Sequence, residues 1–271
     1  MEESSDRCNL CGSDGTRFIK ESDDKYFHRR IVECTGCGLA YVSPQPTPEQ
    51  LEELYARMYH ADRKSLDDGT VTRFSDAERL GYRISRRLPR LGAYKSGGKL
   101  LDIGTNDGLF LINAKNAGYE VYGVEISPSA AELAARKSGA PVVSGALSDF
   151  IARYPDLRLD VVTLWDVIEH FTDPMAELKK IFGLLNPGGI LALSTVNRGS
   201  LRGSVYKDRW LGFTESPEHI FFFTPTVMRR LIKKAGFTPL KVYGWMTAPV
   251  LLRFMDWFKK GNILEVYARK I

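Results

Sequence analysis

From Lys99 onward the chain alternates short apolar runs (KLLDI, EVYGVE, APVVS, LDVVTLW and ILALSTV) with stretches of helical periodicity. No other feature limits the fold as tightly. A strand covered on both faces reads as a continuous apolar run, and parallel neighbours need a crossover long enough for a helix. The pattern therefore predicts an α/β, doubly wound sheet filling about two thirds of the chain. Three helix starts carry the same device: Ser127-Pro128, Asp173-Pro174 and Thr224-Pro225 each set a capping side chain before a proline that suits the first turn. Asn186-Pro187-Gly188-Gly189 stops the helix begun at Asp173 and leads into the next strand.

The rest of the chain is divided by its cysteines. All four fall in the first 37 residues, as Cys8-x2-Cys11 and Cys34-x2-Cys37, with 22 residues between the pairs. Glycine follows each pair (Gly12, Gly38) and permits the positive φ that wraps amide hydrogens around thiolate sulfur. The amino terminus is polar, with no apolar signal segment, and no run is long enough to span a bilayer, so a cytoplasmic protein is expected. Cysteines stay reduced there, which favours a metal site over disulfides or free thiols. Cys8, Cys11, Cys34 and Cys37 are read as ligands of one structural Zn²⁺, since four thiolates leave no open position for water. His28 is then unnecessary as a ligand, and His60 has no evident role.

With 44% hydrophobic residues among 271, the chain can bury one large core and carry a small second module. The expected division is a zinc ribbon over 1–45, a helical connector or cap over 46–95 and the doubly wound domain over 96–271. In the connector, Thr47-Pro48 starts a helix with Leu51, Leu54, Tyr55 and Met58 at helical spacing, and 75–91 reads as a second helix. Arg83, Arg86, Arg87 and Arg90 on that helix could grip a phosphate, but a solvated face is the preferred reading. A net charge of +5 suits an acidic or phosphorylated small molecule as well as nucleic acid and decides nothing.

The ligand of a doubly wound sheet lies beyond the carboxyl ends of its strands, beside the first one. LLDIGTNDGLF, 100–110, sits there. Dinucleotide turns want Gly-x-Gly-x-x-Gly, and Asn106 and Leu109 replace two of those glycines, which disfavours NAD. The alternative, acidic-x-Gly-x-Gly-x-Gly, is the first-strand turn of S-adenosylmethionine (SAM) methyltransferases. Asp102, Gly104 and Gly108 match it in register, and Asn106, one of the few residues that tolerate left-handed backbone, stands at the middle glycine. An acidic residue near the turn also suits an ammonium and a sulfonium. Glu125, which ends the second strand, can accept from ribose hydroxyls, a feature shared with NAD folds. Ser144-Gly145-Ala146-Leu147 lies where an adenine edge would sit.

LLDIGTNDG, VYGVEISP, VVTLWDVIEHFTDP, LLNPGGILALSTVN and the terminal FTPLKVYGW to LEVYARK resemble the successive motifs of class I SAM-dependent methyltransferases. CNLCGS to CTGCGLAYVSPQPTPEQLEELY resembles the zinc-binding extension of a subset of them, many similar to bacterial enzymes that methylate sugars or other small metabolites. The resemblance implies a seven-stranded sheet of order 3-2-1-4-5-7-6 with the last strand antiparallel. It also implies SAM contacts from Asp102, Gly104 and Gly108, from Glu125 and Ile126 at the ribose, from Ala146 and Leu147 at the adenine, and from Trp165 and Asp166 after the fourth strand. Asn106 is the main departure.

Methyl transfer is an in-line displacement, so positioning outweighs proton transfer, and a base is needed only where the acceptor is a hydroxyl. His219, in SPEHIFFFTP, is read as that base, with Glu218 orienting it or binding a substrate hydroxyl. His170 is the competing candidate, the alternative being that the Glu169-His170 pair is a structural hydrogen-bonding corner. The segment 197–219 carries Arg198, Arg202, Lys207 and Arg209 among Tyr206, Trp210 and Phe213, which suits a phosphorylated or nucleotide-linked acceptor, or RNA, or a solvated loop. The expected function is methyl transfer from SAM to a hydroxyl of a sugar, nucleotide sugar or related metabolite. An RNA methyltransferase and a non-catalytic SAM/zinc interaction module are the alternatives. Pro249 to Phe258, an amphipathic stretch, suggests a homodimer contact or packing on the domain itself.

Overall fold

The computed structural model describes residues 7–23, 28–47, 49–51, 53–54, 74–214, 216–245 and 262–271. His60 and the stretch Pro249 to Phe258 lie outside these residues. Among those described are two sheets.

The larger has seven strands: β4 (Gly98–Ile103), β5 (Tyr119–Glu125), β6 (Val142–Ser144), β7 (Leu159–Trp165), β8 (Leu185–Val196), β10 (Thr238–Trp245) and β11 (Ile263–Arg269). Its spatial order is β10-β11-β8-β7-β4-β5-β6. Counted within this sheet, that is 3-2-1-4-5-7-6, as expected, with β11 antiparallel to both neighbours. The chain leaves β4 towards β5 and β6 and then returns to β7 on the other side of β4. A crevice opens at such a reversal, because the following connections leave in opposite directions.

Helices α1 (Phe74–Gly92), α2 (Leu109–Asn116), α3 (Pro128–Ser138), α4 (Leu147–Arg153), α5 (Pro174–Leu184), α6 (Leu201–Tyr206) and α7 (Pro225–Lys234) pack around the strands. The Ser127, Asp173 and Thr224 side chains accept from the amides of Ala130, Ala176 and Val227, so all three caps form as read. Thr47 caps in the same way: its hydroxyl accepts from the Gln50 amide while the Gln50 side chain accepts from the Thr47 amide. Successive strand residues serve opposite faces. Leu100, Val161, Ile190 and Tyr267 pack against Ile84 and Leu91 of α1 and Phe110 and Leu111 of α2. Leu101, Val162, Leu191 and Val266 pack against Leu178 and Ile181 of α5 and Leu231 of α7.

The smaller sheet runs β1 (Thr16–Asp23), β2 (His28–Cys34), β3 (Ala40–Val42), β9 (Phe221–Phe222). Its fourth strand comes from deep in the 96–271 segment, with Ala40 opposite Phe222 and Tyr41 opposite Phe221. Ile31, Val32, Leu39 and Tyr41 are buried in the same core as the α5 and α7 face of the large sheet. The apolar run Ile220 to Phe223 explains this: all four residues are fully buried, and only a second layer can cover them.

Candidate active site

The cysteine knuckles close as tight turns. Gly12 and Gly38 take φ of 78° and 79°, and their amides donate to the Cys8 and Cys34 carbonyls at 2.7 and 2.9 Å. The four sulfurs lie within 4.8 Å of one another, with Cys8 to Cys37 at 3.5 Å and Cys11 to Cys34 at 3.4 Å. A tetrahedron with metal–sulfur bonds of about 2.3 Å has sulfurs about 3.8 Å apart, so this all-thiol donor set fits Zn²⁺. Burial works against ionisation of Cys34, but hydrogen bonds from Cys11 and the Cys37 and Gly36 amides bring its thiol down to about 7. His28 is exposed and not part of the cluster.

The glycine turn lies at the carboxyl end of β4. Gly104, Asn106 and Gly108 all have positive φ, 72°, 49° and 79°, so Asn106 holds the left-handed geometry expected of a glycine. A Cβ on Gly108 would come within 2.9 Å of the Ala134 backbone, and one on Gly104 within 2.5 Å of Val167 Cγ2. The glycines thus bring α3 and the β7 loop close, and the turn stays shallow. Glu125 is buried and accepts from the Asn106 amide at 2.9 Å and the Ser127 amide at 3.0 Å. Both carboxylate oxygens are thereby fixed between the turn and the start of α3. Beside it Ile126 is 56% exposed, an apolar surface at the strand end where a flat ring could lie. Gly145 follows β6, Leu147 is buried, and the Ala146 amide is engaged by Asp149 at 2.7 Å.

Asp102 sits beneath the turn. Its carboxylate accepts from Thr163 Oγ1 at 2.5 Å, and burial pushes it up to about 7 against the pull of Thr163 and Thr105. Its part is therefore to tie β4 to β7 as much as to supply charge.

The arginines of α1 overturn the preferred reading of a solvated face. Arg83 donates to Asp166 at 2.8 Å, and Arg87 donates to Asp166 at 3.3 Å and to Ser194 Oγ at 2.7 Å. Arg87 is buried, with its guanidinium 4.3 Å from the centroid of Trp165, and Arg90 pairs with the buried Glu265 at 3.1 Å. Residues 83, 87 and 90 lie on one helical face, and that face meets the sheet. Asp166 takes φ of 60°, and although burial opposes ionisation, Arg87 and Arg83 hold it below its ordinary value. The i, i+4, i+7 spacing is the signal that could have marked Arg83, Arg87 and Arg90 as site-supporting residues.

Three residues after Asp166 the chain places Glu169 and His170 against His219. The imidazole rings stand edge to face with centroids 4.9 Å apart, and His219 Nε2 is 3.9 Å from Glu169 Oε1. His170 Nδ1 lies 3.2 Å from the Glu218 carbonyl. A carbonyl only accepts, so Nδ1 carries the proton and Nε2 keeps the lone pair. Of the corner expected of the Glu169-His170 pair, the His170 bond is present. Burial brings His170 down to about 4; burial, then the neighbouring His170 and Arg29, bring His219 down to about 3. Both rings are neutral at pH 7. Burial first, then Asp166, pushes Glu169 up to about 8. Among the described residues, neither carboxylate oxygen of Glu169 and not His219 Nδ1 has a hydrogen-bond partner of ordinary geometry. The sequence marks Glu169 only as half of a corner with His170, not as a buried carboxyl beside His219.

Of the rings in 197–219, Trp210 and Phe213 are buried and pack edge to face on Phe222, so they belong to the core. Tyr206 is exposed, as are Arg202, Lys207 and Arg209, whereas Arg198 is paired with Glu33.

This geometry defines a doubly wound fold with a glycine turn at its switch point and an imidazole pair at the neighbouring strand end. Residues 77–242 match the family described as a methyltransferase domain, and the chain belongs to that family. It is 34% identical over 164 residues to a ubiquinone biosynthesis O-methyltransferase of Cereibacter sphaeroides, covering 57% of this chain and 66% of that protein, just under two thirds of its length. Among solved structures it shares its fold with a SAM-dependent methyltransferase from Archaeoglobus fulgidus (19% identity, 70% of this chain, 94% of that one, TM-score 0.56). It also shares it with a magnesium protoporphyrin IX methyltransferase from Synechocystis with bound SAH (18% identity, 71% and 84%, TM-score 0.53). No helix among the described residues is long and apolar enough to cross a membrane.

Proposed function

We propose that this protein is a SAM-dependent methyltransferase acting on a hydroxyl of a small molecule, a sugar, nucleotide sugar or related metabolite. The observation that carries it is the neutral imidazole pair in which His170, five and four residues beyond Trp165 and Asp166 at the end of β7, meets His219 just before β9. SAM, when bound, supplies an electrophilic methyl group on a sulfonium. The 104–108 turn, Glu125 and Ile126 would hold its ribose and amino-acid ends, with Ala146 and Leu147 at the adenine. Trp165 and Asp166, fixed by Arg83 and Arg87, would border the methyl end.

On the acceptor side a neutral His219 takes the hydroxyl proton as the oxygen attacks. Burial disfavours the imidazolium, so it needs a compensating charge, and Glu169 at 3.9 Å is placed to provide it once ionised. His170 fixes the loop through the Glu218 carbonyl. The O-methyltransferase named among the relatives supports a hydroxyl acceptor, and exposed Arg202, Lys207 and Arg209 suit one bearing phosphate.

A second reading rests on the same cluster. Ligand atoms of Glu169, His170 and His219 all lie within 4.8 Å of one another, a set able to hold a divalent cation that would acidify the hydroxyl as a Lewis acid.

Labelled SAM tested against nucleotide sugars, hydroxylated phenols and total RNA decides the acceptor class. Transfer to RNA with a steep salt dependence would replace the small-molecule reading, and SAM binding without transfer to anything would leave a non-catalytic module. With the acceptor known, His219→Ala is expected to keep SAM affinity and lose roughly 10²- to 10⁴-fold in turnover, with partial recovery at higher pH. A larger loss in His170→Ala at equal stability would reverse the roles. One metal per chain with chelator-resistant turnover supports the base reading; two metals, with turnover restored by a divalent cation, supports the second.

A further inference from the structure

Strand β2 joins the cysteine cluster to the acceptor loop. Cys34 ends it, and Arg29, near its start, is fully buried. Strand alternation places Arg29, Ile31 and Glu33 on one face. Arg29 Nη1 donates to the carbonyls of Ser216, Pro217 and His219 at 3.3, 3.0 and 3.4 Å, and Nη2 to that of Phe213 at 2.7 Å. Glu33 pairs with Arg198, where the same segment leaves β8. The neighbouring strand extends the seam, for Val42 donates to the Ile220 carbonyl at 2.9 Å just before β3 pairs with β9. The loop is therefore held at its entry by Glu33 and at its exit by Arg29, both on one strand of the cysteine-bearing sheet.

From this geometry we infer that the ribbon is a working part of the acceptor side, with Arg29 the positioning residue that sets the backbone carrying Glu218 and His219. The inference rests on the reading of His219 given above. A guanidinium is a rigid planar fork with donors on separate nitrogens, so it can gather carbonyls that converge from several directions. Loop carbonyls at 213, 216, 217 and 219 are what a buried irregular segment must satisfy, and here one side chain does so. A lysine carries its donors on a single nitrogen and cannot span them. Because the reacting groups must meet at near-attack distance, a displacement of about 1 Å at His219 costs on the order of 100-fold in turnover.

Arg29→Lys tests this in the full chain. The expected result is one zinc per chain and SAM affinity within about twofold of wild type by calorimetry, while turnover falls at least about tenfold. Amide hydrogen exchange should quicken at least about tenfold over 197–220 and stay unchanged over 100–125. Unchanged exchange over 197–220, or SAM affinity falling by the same factor as turnover, overturns the inference. The exchange comparison needs no acceptor: quickened exchange in a protein that methylates nothing would sink the proposed function and leave the loop-positioning role standing. Should Arg29→Lys not fold, Glu33→Gln loosens the entry end from the partly exposed surface. Faster exchange confined to 197–220 then supports the inference, and none opposes it.

Discussion

Gly104 and Gly108 occupy the same left-handed geometry but meet different neighbours. Gly108 faces the backbone of α3 at Ala134, which cannot move aside, whereas Gly104 faces the branched end of Val167, which can rotate. Gly108→Ala is therefore expected to destabilise the protein by roughly 1–3 kcal/mol from strain alone, with the clash in addition, and more than Gly104→Ala does; urea midpoints decide. Asn106→Gly should leave the fold intact and SAM affinity within about twofold, because the backbone there is already what glycine prefers. The imidazoles give a pH signature. Their folded values of about 4 and 3 lie below the ordinary 6.5, so the unfolded chain binds protons that the folded chain refuses. The stability they contribute is present above pH 6.5 and is lost as the pH falls towards 4 and 3. Thermal melts of a His170→Gln/His219→Gln double variant should show a shallower acid loss than wild type, and parallel curves would refute it.

At the scale of the element, α1 is a docked strut. Its Arg83, Arg87 and Arg90 stripe meets Asp166, Ser194 and Glu265 across the ends and face of the sheet. Arg87→Met removes one of the two donors to Ser194 Oγ, the Asp166 amide remaining, uncovers Trp165 and strips one cation from the partly buried Asp166. A loss of roughly 3 kcal/mol is expected, with weaker SAM binding as Asp166 leaves its left-handed turn. Arg83→Ala should cost less, because its partner keeps Arg87 and its own head is partly solvated. Equal losses in the two variants would show that burial of the guanidinium does not govern the contact.

The whole molecule is stitched through β9. Because Ile31, Leu39 and Tyr41 share a core with α5 and α7, the cysteine-bearing sheet should not unfold by itself. Calorimetry of the metal-loaded protein should give one transition. Cys34→Ser should lower it, since site formation and folding are coupled, and loosen 197–220 in the same step. Two transitions, or full metal occupancy with unchanged stability in Cys34→Ser, would contradict this.

Much of the architecture was legible because it rests on local chemistry. Buried parallel strands must be apolar throughout, capped helices must start at residues that can cap, and a turn with left-handed backbone must use glycine or asparagine. Those rules located β4 to β8, α3, α5 and α7, the left-handed turn after β4 and the paired cysteines. What stayed hidden depends on which distant surfaces meet. The sequence does not say that Ile220 to Phe223 completes the cysteine-bearing sheet, because a short apolar run fits any uncovered layer. Nor does it say that Arg29 and Arg87 are buried, because a guanidinium becomes tolerable inside only when carbonyls or carboxylates from remote segments gather around it. His170 and His219 could be named as candidates one at a time. Their approach to 4.9 Å, with Glu169 beside them, was decided by packing the β7 loop against the exit of the 197–220 segment, a contact between residues some fifty positions apart that no local preference specifies.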